Sequence, residues 1–240
     1  VEEMKNKEIE LKNFEDEYMI KVKGGKYKPS FANELKEVFD IEVCKYQVTQ
    51  AMWEEIMGNN PSTFKGGNKP VNMISWWGAI EYCNKLSEKY GLIPVYDLSR
   101  WTEQILMIKQ LDGKVVAPDE ADFLKTEGFR LPTEIEWEWF AGGGQKAINE
   151  GTFGHIFYKR DNLDKIAWYC DNSFFTTHDP GEKMANELGI FDYIGNVYEW
   201  CHDQRCEFKK FKDFIPKEEQ KNLLEAYHKR FFCNDIELRN

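Results

Sequence analysis

At 240 residues the chain is long enough for one substantial hydrophobic core, and nothing in its composition forces a division into two domains. It carries 32 Lys and Arg against 42 Asp and Glu, a net charge of −10 without a long basic stripe, which makes nucleic acid a poor partner. No apolar run approaches the roughly 20 residues a bilayer crossing needs, and the acidic start "VEEMKNKEIELKNFEDE" is not the basic-then-apolar pattern of a signal. A signal removed ahead of the numbered sequence would leave the same chain. A periplasmic, secreted or cytoplasmic location therefore remains compatible with it.

Residues 1–17 read as a charged N-terminal segment. Ile20, Lys21, Val22 and Lys23 then alternate in polarity, Gly24 and Gly25 offer the positive backbone angles of a tight turn, and Lys26, Tyr27 and Lys28 can return. A hairpin is expected there. Phe39, Ile41 and Val43 alternate with Asp40, Glu42 and Cys44, the period of a half-buried strand running toward Tyr46 and Val48. Thr49 is placed to cap a helix in which Met52, Trp53, Ile56 and Met57 recur at helical spacing before Gly58 stops it. After the loop "NNPSTFKGGNKP", Ser75 caps a second helix with Trp76, Ala79, Ile80, Cys83 and Leu86 on one face, ending near Gly91. Residues 94–127 have no clean helical period and read as an insertion with its own strand pair around Lys114, Val115 and Val116.

The stretch "FRLPTEIEWEWF" sets Glu134, Glu136 and Glu138 between tryptophans and raises the question of an acid/base pair. Thr133 followed three residues later by Glu136 is a capping box, and Glu134 sits where a helix dipole favours an anion. Ile135, Trp139 and Phe140 would face inward. Glu134 and Glu138, four apart, could lie together. Nothing nearby supplies the contrasting pockets that give two carboxylates different roles, so the stretch reads as a helix start.

Six cysteines (Cys44, Cys83, Cys170, Cys201, Cys206 and Cys233) without a C-x-x-C pair do not make a disulfide scaffold, and most read as core thiols. Cys201, His202 and Cys206 stand close together but lack a second ligand pair at zinc spacing.

Five stretches in order, "CKYQVTQAMWEEIMGNNPSTF", "KPVNMISWWGAIEYCNKLS", "GFRLPTEIEWEWFAGGG", "IAWYCDNS" and "NELGIFDYIGNVYEWCHD", resemble the formylglycine-generating-enzyme, or sulfatase-modifying-factor, domain over residues 18–203. The resemblance implies an α+β, C-type-lectin-like fold, rich in loops, with short antiparallel strands and two to three helices, to which the residues of the tail add a C-terminal helix. Relatives of this kind act as generating enzymes, as sulfoxide synthases or as non-catalytic ligand-display domains, including variable proteins of diversity-generating retroelements, so the fold does not fix the activity.

The family's copper-binding, oxygen-activating cysteines follow an R-x-x-R-G-G-S-W segment that residues 204–240 do not contain. In that tail Pro216, Glu218 and Glu219 suit a helix start, Leu223, Leu224, Tyr227 and Phe231 form an apolar face, and His228, Lys229 and Arg230 suit its end. Copper is accordingly not expected, and no catalytic residue is assigned. The family's structural calcium site lies around its G-N-V-x-E-W motif. Carried over by position, the resemblance implies Asp192 and Glu199 as carboxylate ligands, and Gly195 and Val197 through their carbonyls. A second calcium site found in some relatives has no match here.

These observations lead to the expectation of a non-catalytic domain that binds a protein, small molecule or carbohydrate through its loops, with Phe174, Phe175 and Tyr169, beside Asn172 and His178, supplying contact area. The alternative is a formylglycine-generating oxidase acting on a cysteine in a sulfatase or other protein, using a pair such as Cys201 and Cys206. A third reading is an incomplete or degenerate copy of a longer domain.

Overall fold

The structure is a computed structural model and describes residues 2–153 and 163–203. An N-terminal helix α1 (Glu2–Tyr18) leads into four short strands: β1 (Met19–Val22), β2 (Gly25–Tyr27), β3 (Lys36–Val38) and β4 (Ile41–Cys44). The expected hairpin is not what forms. β1 pairs antiparallel with β4, Met19 opposite Cys44 and Val22 opposite Ile41, while β2 pairs antiparallel with β3, Gly25 opposite Val38. The physical reason lies in the two glycines. Neither has a positive φ. A Cβ on Gly24 would lie 2.2 Å from the Val38 carbonyl oxygen, and one on Gly25 would lie 2.6 Å from the Trp139 ring. They are small so that other parts of the chain can approach, not so that the chain can turn. The alternating strand is shorter than its pattern suggested, since Phe39 remains exposed and β4 ends at Cys44.

The helices α2 (Gln50–Met57) and α3 (Trp76–Lys89) begin where their caps predict. The Thr49 hydroxyl accepts from the Met52 amide at 3.2 Å, the Ser75 hydroxyl from the Gly78 amide at 3.0 Å, and Gly58 ends α2 at φ 74°. Trp53 of α2 stacks on Tyr82 of α3, centroids 5.3 Å apart, in a cluster with Val71, Leu86 and Tyr90. α1 closes this cluster from outside, with Phe14 5.2 Å from Tyr90 and 5.6 Å from Phe129 between centroids. The charged segment is thus a helix held by a few apolar side chains.

Residues 94–127 carry three strands rather than a pair: β5 (Tyr96–Asp97), β6 (Met107–Lys109) and β7 (Val115–Val116), antiparallel in that order. Their buried side chains Val95, Tyr96, Leu106 and Ile108 pack on Ile80 and Cys83 of α3.

α4 (Glu134–Ala141) starts with the full capping box: the Thr133 hydroxyl accepts from the Glu136 amide at 3.1 Å and the Glu136 carboxylate from the Thr133 amide at 2.9 Å. Its Trp139 and Phe140 join Val22, Tyr27, Val38, Ile190 and Tyr193 in a third core cluster, where Trp139 Nε1 donates to the Lys23 carbonyl at 3.0 Å. Two short helices, α5 (Gly144–Glu150) and α6 (Leu163–Ile166), follow, and were not read from the sequence. The result is an α+β, loop-rich arrangement of helices and short antiparallel strands. Among the described residues no helix is long and apolar enough to cross a membrane. The amphipathic tail read over residues 204–240 lies outside the described residues.

Candidate functional site

Residues 192–199 form an irregular curl. Asp192, Gly195 and Asn196 adopt left-handed backbone angles, φ 51°, 82° and 61°. Glycine at 195 is required twice over, because a Cβ there would also lie 2.1 Å from the Trp168 carbonyl oxygen. That contact is part of an isolated bridge between Trp168 and Gly195, in which the Asn196 amide donates to the Trp168 carbonyl at 2.9 Å. The Asn196 side chain locks the curl to a neighbouring loop, accepting from the His178 amide at 3.0 Å and donating to its carbonyl at 2.9 Å.

The curl turns several oxygens toward one point, and the side-chain amide of Gln47 stands there. Gln47 Nε2 lies 3.2 Å from the Asp192 carbonyl, 3.3 Å from that of Gly195, 3.3 Å from that of Val197 and 2.8 Å from Glu199 Oε1. The four residues singled out from the sequence are thus gathered together. Asp192 contributes its carbonyl rather than its carboxylate: Oδ2 accepts from the Gly181 amide at 2.7 Å and Oδ1 is buried without a partner. Glu199 as a whole residue is exposed, but its carboxylate is engaged by the protein, with Oε2 accepting from Trp137 Nε1 at 3.0 Å. Desolvation raises the pKa of both acids, against the opposing hydrogen bonds from Gly181 to Asp192 and from Gln47 and Trp137 to Glu199.

An amide nitrogen carries two protons and cannot satisfy four oxygens, and the Gln47 Oε1 is itself buried without a partner. An oxygen cradle of three carbonyls and one carboxylate is the chemistry of a hard cation such as calcium, with waters completing the shell. The residues present fit such an ion. Buried polar atoms without a partner recur close by, at Ser173 Oγ, Thr177 Oγ1 and Trp168 Nε1. Among the described residues no three His, Cys, Asp or Glu side chains are grouped to hold a metal, so any ion here rests mainly on backbone oxygens. Gln47 and Trp137 were missed because nothing local marks them: Gln47 is 145 positions from Asp192.

Beside the curl, Trp168 is sandwiched between the His178 ring, 3.7 Å away and nearly parallel, and the Lys183 ammonium at 3.8 Å. His178 Nε2 lies 2.9 Å from the Ser173 carbonyl, and Asn172 Oδ1 accepts from the Tyr169 amide at 2.8 Å. Between these fixed points the loop projects Phe174 and Phe175, at φ 54° and 57° and 81% and 60% exposed. Tyr169 does not join them. It is half-buried, its hydroxyl donating to Asp164 Oδ1 at 2.7 Å.

The three glutamates of α4 go separate ways. Glu136 grips Arg130 through two bonds of 2.7 Å, and Glu138 accepts from the Ser30 amide at 2.7 Å and its hydroxyl at 2.9 Å. The Glu134 amide donates to Asp203 Oδ2. Cys44, Cys83 and Cys201 are free thiols, and burial pushes their pKa values up to about 11, 12 and 12. Thiolates are strongly disfavoured at these three positions. Cys170, by contrast, is disulfide-bonded rather than a core thiol. Cys206 and Cys233 lie outside the described residues.

The model of the sulfatase-modifying factor enzyme 1-like domain matches residues 5–224. A chaperone protein, LppX, of Paenibacillus barcinonensis is 36% identical over 211 residues, covering 76% of this chain and 70% of that protein. A formylglycine-generating enzyme of Mycobacterium tuberculosis is 33% identical over 93 residues, 36% of this chain and 31% of the enzyme. Among solved structures, Treponema denticola variable protein 1 superposes with a TM-score of 0.58 at 31% identity, covering 79% of this chain and 74% of that one.

Proposed function

The chain belongs to the family of sulfatase-modifying factor enzyme 1-like domains, and from that premise we propose that it is a non-catalytic recognition module which presents a loop to a protein partner. The observation that carries this reading is the Phe174–Phe175 pair. Two consecutive bulky residues hold left-handed backbone angles while most of their surface faces water. Each such residue costs on the order of 1–3 kcal/mol of strain, and strain of this kind concentrates at ligand clamps and switch regions. Phenylalanine has no hydrogen-bonding group, so the tip suits an apolar patch on a protein better than a hydroxyl-rich sugar. The name of the Paenibacillus relative, a chaperone, supports a partner that is itself a protein. The likeness to a variable protein supports display of a loop on this frame.

The oxygen cradle of Asp192, Gly195, Val197 and Glu199 supports a structural calcium ion beneath that loop. The ion would supply positive charge to a buried carboxylate and three carbonyls. Asn196 ties the cradle to His178, and His178 in turn reaches Ser173, so the same ion would stiffen the base from which the phenylalanines project.

The test is affinity selection of a random-peptide library on the full chain, followed by titration of the recovered peptides against Phe174→Ala/Phe175→Ala. Loss of at least about tenfold in affinity, with an unchanged melting temperature, is expected. Peptides that bind the double variant as well as the original would place recognition elsewhere and overturn the reading. The competing reading, a formylglycine-generating oxidase, is supported by the partial likeness to the mycobacterial enzyme. Against it stands Cys201, a half-buried thiol with a strongly raised pKa.

A further inference from the structure

We propose that Gln47 is a built-in competitor of the cation, its amide occupying the oxygen cradle that the ion would otherwise fill. The inference rests on the calcium reading and sets the terms on which the ion enters.

The geometry that carries it is the position of one nitrogen. Gln47 Nε2 is within 3.3 Å of three carbonyls and 2.8 Å from a carboxylate oxygen, so it stands near the centre of the cradle rather than at its rim. A calcium ion binding those oxygens at about 2.3–2.6 Å would need the space this nitrogen fills. The two cannot share it, and the amide must leave before the ion can enter.

The backbone on either side of Gln47 is anchored, which opposes withdrawal by a shift of the main chain. Lys45 is tied on one side, its amide to the Tyr18 carbonyl at 2.8 Å and its carbonyl to the Phe191 amide at 2.9 Å; on the other, the Val48 carbonyl accepts from the Val71 amide at 2.9 Å. Gln47 is also buried. It has to change rotamer inside a packed region and give up its hydrogen bond to Glu199. Its Oε1, which has no partner in the present arrangement, loses nothing by the move.

The electrostatics agree in sign. Without an ion, three carbonyl dipoles and a desolvated carboxylate face one another, and two amide protons are the positive charge that relieves them. Gln47 therefore holds the cradle together in the absence of the ion and weakens its binding when present. The opposite possibility is that Gln47 turns its amide over and becomes a ligand through Oε1. The two roles predict opposite effects of removing it.

The experiment is calorimetric titration of calcium into the full chain, the Gln47→Ala variant and the Gln47→Asn variant, with melting temperature and circular dichroism in chelator as the second readout. Asparagine keeps the amide but draws it back by one methylene, so it remains informative should the alanine variant fail to fold. A competitor predicts calcium binding tightened by about tenfold or more in Gln47→Ala, the equivalent of about 1.4 kcal/mol. It also predicts a smaller gain in Gln47→Asn, and lower melting temperatures for both variants in chelator. Calcium binding that is weaker in the variants than in the original would make Gln47 a ligand and overturn the proposal while leaving the calcium site intact. Equal affinities would place the amide outside the ion's path and overturn it as well. No binding by any of the three would remove the calcium reading, and the competitor with it.

Discussion

The pair of Arg130 and Glu136 is the part of the structure whose removal the geometry prices most clearly. Both side chains are largely buried, 16% and 14% exposed, and two bonds of 2.7 Å join them fork to fork. Arg130 also lies over the Phe123 ring at 4.1 Å. Desolvation alone would raise the pKa of Glu136, but the bonds from Arg130 and from the Thr133 amide outweigh it, and the net shift is downward. Glu136→Gln keeps the shape and removes the charge. It leaves a buried guanidinium without its counterion, which typically costs about 3–5 kcal/mol, and the residual exposure argues for the lower end, about 3 kcal/mol. For a chain of this size that corresponds to a melting temperature lower by about 6–12 °C. Urea unfolding should show a lower midpoint with an unchanged slope. Because a depressed carboxylate pKa stabilises above the unfolded value of 4.5 and fades as pH falls through the folded one, the gap between original and variant should close in acid. The double variant Arg130→Met/Glu136→Leu, which removes both charges, should recover to within about 1 kcal/mol of the original. A single variant within about 0.5 kcal/mol of the original, or a double variant no better than the single, would refute the reasoning. The pair also matters to the candidate site, since the helix start it secures places Trp137 against Glu199.

Two further outcomes follow from buried groups elsewhere. His202 is packed between Tyr96 and Phe123, its amide donating to the Pro132 carbonyl at 2.7 Å, and desolvation lowers its pKa from 6.5 against the pull of Asp203. A folded state that resists protonation loses stability as pH falls below the unfolded value, so melting temperature should decline below about pH 6.5, and His202→Phe should flatten that decline. A profile of the same slope in the variant would assign the dependence elsewhere. Gly24→Ala places a methyl 2.2 Å from the Val38 carbonyl and should cost about 1–3 kcal/mol in chemical unfolding. An unaffected midpoint would mean that the two strand pairs separate freely at this point.

What could be read from the sequence was whatever is decided within one turn of helix. The caps at Thr49 and Ser75 and the box at Thr133 and Glu136 depend on residues three apart, and all three formed as expected. The family resemblance was likewise legible, because its motifs are short and ordered. No hairpin forms there, because the role of Gly24 and Gly25 is decided by the approach of Val38 and Trp139 from elsewhere in the chain and not by glycine's own backbone freedom. α1 went unread for a related reason. Of its apolar residues, Leu11 and Phe14 become meaningful only against Tyr90 and Phe129. The cradle shows both cases at once: Gly195, Val197 and Glu199 lie within one motif, and Gln47, which meets all of them, does not.

The proposed reading, that this frame recognises a partner and does not generate formylglycine, is tested most directly by turnover. The full chain is to be incubated aerobically with copper and a cysteine-containing peptide, and the peptide followed by mass spectrometry for conversion of its cysteine to formylglycine. The account predicts unchanged peptide after many hours. Conversion that requires the protein, and that is abolished by Cys201→Ser or Cys206→Ser, would contradict it.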